Sequence, residues 1–438
     1  MEATEVTLLS SEWRSKVEGV STIIRELAIQ LAKHPSLHVS VYLPKCGDED
    51  KRVAASYNVQ LIEAEEMVGY KPVDWLSVLR KDHAVDYVIG HGIDLGRQVQ
   101  IIKRHHDCKW IQVVYNVPEE LGAYKYYSDA ISRADKMQQV EVKLCEKADQ
   151  VVAVGPKVTE AFLRYLRKDQ EHVFNLTPGI LSDFANVQQA TEEMKAFRVL
   201  LFGQYCMEDF YLKGYDIAAC AIAELKIEPQ PYALLFAGAP SEEQEIMTDL
   251  FLKAGVERTQ LFFRPYNGSR EQLARLFCEV DLAIMPSQTV GFGVAALGAL
   301  SAGLPILVSG RAGFGEALGT VPHGAPCVVN SDDPKVWANK IRAVRQKDRK
   351  VRLEESKAVR EEYGKKIQLG GTVFSSCRKD EEYHSSRLAI VGQKARNLPL
   401  SHDSRGLLFY HVEKPLNKLN PSFNYLNFSV TFKCEVKL

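Results

Sequence analysis

The sequence predicts an α/β protein built from two doubly wound parallel sheets, and three observations support this. Short apolar runs of strand length alternate with stretches whose apolar residues recur at helical spacing, which is typical of βαβ units. The alternation occurs twice, in two series separated by a polar segment at about residues 181–195. Glycine turns follow several predicted strands, where doubly wound folds bind their ligands.

The first series begins with a strand at Glu5–Leu9, followed by a helix whose apolar residues run from Val20 to Leu31. The further strands predicted in this half are Val39–Leu43, Tyr87–Gly90, Trp110–Val114 and Val151–Val154. Thr177-Pro178-Gly179 predicts the turn that ends the series. We therefore expect a first domain at residues 1–185.

The second series predicts a domain at residues 186–366. Its predicted strands are Arg198–Phe202, Ala233–Ala237, Leu261–Arg264, Leu282–Met285, Pro305–Val308 and Cys327–Val329. The charged stretch from Asp333 to Lys366 predicts one long helix with a solvated basic face, in preference to a nucleic-acid or lipid patch. Residues 367–438 do not continue the alternation of strands and helices, and we assign this tail no role.

Composition gives no indication of nucleic acid or an anionic membrane as a partner. The 438 residues carry 55 Lys plus Arg and 56 Asp plus Glu, a net charge of -1, which gives no general attraction to nucleic acid. The nine cysteines include no Cys-x-x-Cys pair and indicate a reducing compartment. No secretory leader is visible, and the apolar stretch at Val294–Gly310 is broken by Gly303 and Pro305. We expect a cytoplasmic protein without a transmembrane segment.

Three glycine turns stand where such folds bind anions, beyond strand ends and at helix N-termini. Gly291-Phe292-Gly293 follows the fourth strand of the second series. Gly203 follows the first strand of that series, and Lys213, ten residues after Gly203, could neutralise phosphate charge. The third turn ends at Gly19. Glycines allow close approach of a diphosphate to the backbone, and the alternative is a tight turn without a ligand.

The order and spacing of these blocks resemble the family 4 retaining glycosyltransferases of the GT-B fold over roughly residues 5–363. The blocks that carry the resemblance are Glu18–Ala28, Leu201–Gly203, Lys213-Gly214, Leu235–Gly238, Val280–Ser287, Gly291–Pro305 and Gly310–Glu316. The resemblance implies two Rossmann-like domains that face each other across a cleft and hold a nucleoside-diphosphate sugar, with no further cofactor. Bacterial enzymes that transfer N-acetylglucosamine to inositol phosphate are of this type.

Five positions depart from the family pattern. The two family glutamates expected at the donor sugar and the ribose are Val290 and Gly298 here. Gln204 occupies the position of a family arginine, and Tyr115 the position of a family histidine. Glu18 occupies the position of the first glycine of the N-terminal turn. All five lie where the resemblance places donor chemistry. Each lost carboxylate removes charge-assisted hydrogen bonds of roughly 1.5–3 kcal/mol.

Further polar residues complete the predicted site. Tyr266 and Asn267 are placed at the nucleotide base by the resemblance, and Glu119 and Glu120 are weaker candidates for the acceptor side. Exposed loop charge is the alternative for the two glutamates. His91, at a strand end, could contact a substrate hydroxyl or only pack.

We assign catalysis to His91, Tyr115 and Lys213, and phosphate binding to the glycine turns with Gln204 and Lys213. A metal site is not expected. The adjacent His105 and His106, near Cys108, cannot both face one ion from regular structure.

Two functions from different classes stay open. The first is a retaining, metal-independent glycosyltransferase, in which amides and Lys213 hold the leaving diphosphate, since no Asp-x-Asp triplet is present. The second is an inactive module on the same fold that binds a sugar nucleotide or a protein partner. A phosphorylase is a distant third, because no lysine is marked as a pyridoxal site.

Overall fold

The computed structural model describes residues 3–14, 19–122, 129–167, 173–203, 207–265, 269–289 and 291–367, which all lie in one compact unit. The predictions for five residues and for the C-terminal tail fall outside these ranges. They concern Glu18, Gln204, Tyr266, Asn267, Val290 and the tail beyond residue 367.

The first half of the described chain forms a parallel sheet of seven strands in the order β3-β2-β1-β4-β5-β6-β7. The strands are β1 (Thr4–Leu9), β2 (Leu37–Leu43), β3 (Val59–Glu63), β4 (Tyr87–His91), β5 (Lys109–Val114), β6 (Gln150–Val154) and β7 (Val173–Leu176). The helices between them are α1 (Val20–Leu31), α2 (Asp48–Ala55), α3 (Pro72–Trp75), α4 (Gly92–His105), α5 (Pro118–Gly122), α6 (Ala130–Lys147) and α7 (Pro156–Leu166).

The second half forms a parallel sheet of six strands in the order β10-β9-β8-β11-β12-β13. The strands are β8 (Phe197–Phe202), β9 (Tyr232–Ala237), β10 (Leu261–Arg264), β11 (Leu282–Met285), β12 (Ile306–Ser309) and β13 (Val328–Val329). The helices are α8 (Tyr215–Glu224), α9 (Gln244–Lys253), α10 (Arg270–Cys278), α11 (Val294–Ser301), α12 (Gly313–Gly319), α13 (Pro334–Arg345) and α14 (Arg349–Lys366).

The central strands are buried on both faces, which explains their continuous apolar sequences. Every residue of β4 and of β9 is buried, as expected for parallel strands covered by helices on both sides. The prediction of two doubly wound sheets is therefore confirmed. Strands β3 and β7 did not show in the periodicity because they are the edges of the first sheet, and each contains side chains that are not buried.

The chain passes from one half to the other once between β7 and β8, and the predicted boundary at 185/186 falls in this segment. The Leu181 amide donates a hydrogen bond of 3.0 Å to Ser301 Oγ in the second half. The hydroxyl of Tyr363, on α14, donates to the Pro178 carbonyl at 2.8 Å. Two hydrogen bonds thus attach the crossing segment to the second half.

The charged stretch at Asp333–Lys366 differs from its prediction in two ways. It forms two helices, α13 and α14, rather than one. The predicted solvated basic face is also wrong in part, because Arg349 and Arg352 are 1% and 3% exposed and both contact Asp281. Within the described ranges, no helix combines the length and the apolar character needed to cross a membrane.

Candidate functional site

A cavity of about 230 Å³ lies between the two halves, at the carboxyl ends of their strands. It brings together seven predicted site residues. They are Gly19, Tyr115, Gly203, Lys213, Gly291, Phe292 and Gly293. A larger cavity of about 500 Å³ beside Cys327 is lined by none of the predicted site residues.

The topology explains why the turns meet. In each sheet the strand order reverses at one place, between β1 and β4 in the first and between β8 and β11 in the second. Crevices at such reversals are where open α/β sheets bind ligands. The lining turns follow β1, β8 and β11, so three of these four strands carry a loop of the cavity.

Three helix N-termini reach the cavity with glycine as the cap residue. These are Gly19 before α1, Gly214 before α8 and Gly293 before α11, and none has a side-chain cap hydrogen bond. By contrast, Ser269 and Asp333 cap α10 and α13 with their side chains. Uncapped N-termini carry unpaired amides and a partial positive charge, which suits an anionic ligand.

Glycine is required at two of these turns. Gly293 has φ of +92°, and a Cβ there would lie 2.5 Å from Met285 Cε. Gly214 has φ of +66°, and its Cβ would lie 2.1 Å from the Pro286 carbonyl oxygen. Any side chain would therefore strain the backbone at both positions, and at Gly214 it would also clash with main-chain atoms.

Lys213 supplies a cationic side chain to the cavity. Its backbone amide donates to the Asp209 carbonyl at 2.8 Å, within the turn that leads to α8. Its Nζ lies 3.9 Å from the position that a Cβ on Gly203 would occupy. The predicted phosphate cation and the predicted glycine turn are therefore neighbours.

Gly291 forms a direct contact between the two halves at the cavity. Its amide donates to Asn116 Oδ1 at 3.0 Å, and a Cβ on Gly291 would lie 1.8 Å from the Tyr115 carbonyl oxygen. Phe292 follows it, 3% exposed, with its ring 5.8 Å from that of Phe314. This turn therefore packs against the loop after β5 as well as lining the cavity.

His91 and Tyr115 form a buried pair next to the cavity. Nδ1 of His91 lies 2.7 Å from the hydroxyl of Tyr115, and the residues are 3% and 6% exposed. Burial lowers the pKa of His91 to about 3, so its ring is neutral, and burial raises the pKa of Tyr115. Tyr115 lines the cavity and His91 does not.

Glu119 and Glu120 do not line the cavity. Glu119 accepts a hydrogen bond of 2.6 Å from the hydroxyl of Tyr165. Glu120 forms an ion pair with Lys157 and accepts from Thr289 Oγ1 at 2.8 Å. Glu120 therefore takes part in a polar contact between the halves, and an acceptor role for either glutamate stays a prediction.

Gly298 lies in an apolar environment. A Cβ at this position would lie 3.5 Å from Phe184, 3.7 Å from Phe277 and 3.8 Å from Leu181. A side chain added at this position would therefore begin among apolar groups. Apolar packing therefore surrounds position 298, where the family resemblance expects a glutamate.

Three contributors were not predicted. Asn116 and Thr289 are adjacent to predicted positions, but only the fold shows that they touch the opposite half. Glu141, on α6, has its Oε1 4.0 Å from the Cβ position of Gly92, and burial raises its pKa to about 7. Its sequence context gives no signal, since it lies in an ordinary charged helix.

In the part of the chain that the structure describes, no group of three or more His, Cys, Asp or Glu side chains is arranged to hold a metal ion. The residues that could hold an anion are the helix ends and Lys213. The chemistry that the arrangement can support is stabilisation of phosphate charge.

Two Rossmann-like sheets with glycine turns at a shared cavity define the GT-B fold class. The family described as "Family 4 Glycosyltransferase in conflict systems" matches residues 7–369. The chain belongs to this family, and the resemblance deduced from the glycine blocks is confirmed.

Curated relatives agree with this class. The chain is 26% identical over 281 residues to a D-inositol 3-phosphate glycosyltransferase of Corynebacterium urealyticum, covering 60% of this chain and 64% of that protein. It is 24% identical over 255 residues to the lipopolysaccharide glucosyltransferase WaaG of Escherichia coli, covering 55% and 63%. The chain thus matches slightly less than two thirds of the length of these relatives.

Solved structures share the fold. A sucrose-phosphate synthase from Thermosynechococcus elongatus superposes with a TM-score of 0.66 at 18% identity, covering 83% of this chain and 95% of that one. Anabaena HepE, in complex with UDP and glucose, superposes with a TM-score of 0.59 at 16% identity, covering 84% and 97%. At these identities the likeness establishes the fold alone.

Proposed function

We propose that this chain transfers a sugar from a nucleoside-diphosphate sugar to an acceptor hydroxyl, with retention at the anomeric carbon and without a metal ion. The observation that carries the proposal is the single cavity in which the three glycine turns, Lys213 and Tyr115 meet. Amides, a cation and a tyrosine around one cavity suit a diphosphate joined to a sugar.

The proposed step breaks the bond between the anomeric carbon and the diphosphate oxygen. The acceptor oxygen bonds to the same face of the sugar, and its proton passes to the departing phosphate oxygen. Negative charge grows on the diphosphate, where the N-termini of α8 and α11 and Lys213 stabilise it. In this proposal these groups take the place that a metal ion holds in other transferases.

The relatives support a uridine nucleotide as the first donor to test. The structure of HepE contains UDP and glucose, and WaaG is a glucosyltransferase. The acceptors named among relatives differ, since one acts on inositol phosphate and another on lipopolysaccharide. We propose UDP-glucose as donor and leave the acceptor open.

Donor binding requires the halves to separate. The cavity of about 230 Å³ is below the range of about 300–1,000 Å³ usual for small-molecule sites. The contact between Gly291 and Asn116 closes it on one side. We propose that this contact opens when the donor enters, which frees the Gly291 amide for the ligand.

Calorimetric titration of the full chain with UDP-, GDP- and ADP-sugars tests the proposal, followed by an assay for hydrolysis or transfer of any sugar that binds. Binding with turnover that persists in EDTA supports a metal-independent enzyme. Binding without turnover at long incubation indicates an inactive nucleotide-sugar module. If no nucleotide sugar binds, the proposal is overturned.

A matched pair of lysine variants tests the site itself. Lys213→Met removes the cation of the cavity, and Lys226→Met removes an exposed lysine of the same half that does not line it. We expect the first to weaken UDP-glucose binding by about tenfold or more and the second to leave it unchanged. Equal effects would show that the ligand binds elsewhere.

A further inference from the structure

The buried pair of His91 and Tyr115 has one polar hydrogen that no acceptor in the described part of the chain receives. The only hydrogen bond of either side chain among the described residues is the 2.7 Å contact between His91 Nδ1 and the Tyr115 hydroxyl. Nε2 of His91 is buried and has no partner in the described part of the chain. A buried polar atom without a partner is uncommon and calls for an explanation.

The two side chains carry two polar hydrogens between them. Burial keeps the His91 ring neutral, with one N–H, and keeps the Tyr115 phenol protonated. The single contact uses one hydrogen as donor and one lone pair as acceptor. One hydrogen is therefore left over in either tautomer of the ring.

The two tautomers leave that hydrogen in different places. If Tyr115 donates to Nδ1, the remaining hydrogen is on Nε2 of His91, a residue that does not line the cavity. If Nδ1 donates to Tyr115, the remaining hydrogen is on the hydroxyl of a residue that does line it. The first arrangement leaves a buried N–H without an acceptor, whereas the second leaves Nε2 with only an unpaired lone pair and places the remaining hydrogen on Tyr115, which lines the cavity. A buried N–H without an acceptor is the rarer of these defects, which favours the second arrangement.

We propose that His91 is a positioning residue, which donates its Nδ1 hydrogen to Tyr115 and so directs the Tyr115 hydroxyl to donate to an oxygen of the ligand in the cavity. The proposal rests on the proposed function for the identity of that ligand, a nucleoside-diphosphate sugar. His91 then acts through Tyr115 and does not touch substrate.

Side-chain variants separate donation from packing. Tyr115→Phe removes the hydroxyl, and His91→Leu removes both ring nitrogens while retaining an apolar side chain. His91→Asn is the matched rescue, because its amide N–H can donate from about the place of Nδ1. Circular dichroism and urea unfolding of each full-length variant check that it folds.

Titration with UDP-glucose then gives a distinctive pattern. We expect Tyr115→Phe and His91→Leu each to weaken binding by about tenfold, and His91→Asn to retain most of it. In the Tyr115→Phe background, the two His91 variants should bind equally, because no hydroxyl remains to be directed. If His91→Asn binds as weakly as His91→Leu, the proposal is overturned.

Nitrogen-15 NMR of the His91 ring tests the tautomer without any ligand. The signal is assigned by its loss in His91→Asn, among 11 histidines. A hydrogen on Nδ1 supports the proposal, and a hydrogen on Nε2 overturns it whether or not a nucleotide sugar binds. If no nucleotide sugar binds to a protein with the Nδ1 hydrogen, the proposed function fails and the ring assignment stands.

Discussion

Two buried clusters in this molecule each place two arginines around one aspartate, and they connect different parts of it. In the Asp281 cluster, Arg349 and Arg352 donate to Asp281 Oδ1 at 2.6 and 3.0 Å. The three side chains are at most 2% exposed. All three belong to the second half, so this cluster attaches α14 to the start of β11.

The Asp183 cluster connects the two halves instead. Asp183 lies in the crossing segment, and it is paired with Arg25 on α1 and with Arg270 on α10, the latter at 3.4 Å. Arg270 also donates to Thr22 Oγ1 at 2.9 Å. Glu26 lies beside the cluster, and burial raises its pKa.

Similar buried ion pairs can therefore stabilise one half of the protein, as at Asp281, or position the two halves against each other, as at Asp183. Losing the Asp281 carboxylate leaves two guanidinium groups buried within one half. Losing the Asp183 carboxylate loosens α1, whose N-terminal Gly19 lines the cavity. We expect the first loss to lower the free energy of unfolding and the second to alter ligand binding as well.

The largest expected effect is that of Asp281→Asn, about 3–5 kcal/mol off the free energy of unfolding, because the buried Arg349 loses its carboxylate partner and the buried Arg352 keeps only the exposed Glu193. Urea unfolding measures it. The control is Asp332→Asn, whose pair with Arg311 is exposed and contributes about 0–1 kcal/mol. A loss no greater than the control's would contradict the structural role of this cluster.

Glu141 is a buried carboxylate outside the two arginine clusters, and its titration gives a further test of what burial costs. The pKa of Glu141 is raised from its usual 4.5 to about 7 by burial, so between these pH values the native protein binds more protons than the unfolded chain. Stability should therefore fall as pH rises through this window, by on the order of 3 kcal/mol. Urea unfolding from pH 4.5 to 8 should show this slope, and Glu141→Gln should remove it. Parallel slopes in the two proteins would refute it.

Asp183→Asn should cost less stability, about 2 kcal/mol, because Glu26 stays near Arg25 as a second carboxylate. It should also weaken UDP-glucose binding several-fold, whereas Asp281→Asn leaves binding unchanged. Calorimetry on both variants, at a temperature where both are folded, compares them. Equal loss of affinity in the two variants would break the distinction between the clusters.

The smallest effect belongs to the polar contact of Lys157 with Glu120 and Thr289. Lys157 is 27% exposed, so Lys157→Met should cost less than about 1 kcal/mol in urea unfolding. A cost above that of Asp183→Asn would mean that this contact, not the Asp183 cluster, holds the halves together.

The core of the fold was predictable because it depends on local patterns. Continuous apolar runs mark the central strands, and a strand such as β9 is buried at all six positions. The edge strands β3 and β7 have mixed burial and so lack that signal. The burial of Arg349 was not predictable either, since Asp281 lies 68 residues away.

The glycine turns of the site were predictable, because strand-turn-helix order fixes where helix ends meet. The partners of individual side chains were not. Nothing near Asn116 indicates that it receives the Gly291 amide, 175 residues away. Likewise, the apolar packing of Gly298 against Phe184 depends on how the crossing segment folds back.

The glycine caps of α1, α8 and α11 have a consequence for mutagenesis. The groups that these helix ends present at the cavity are main-chain amides, and trimming side chains to alanine leaves such amides in place. Truncating the side chains that line the cavity would thus leave these amides untouched. Substituting the glycines themselves would disturb these amides, since a single methyl on Gly214 would already lie 2.1 Å from the Pro286 carbonyl oxygen.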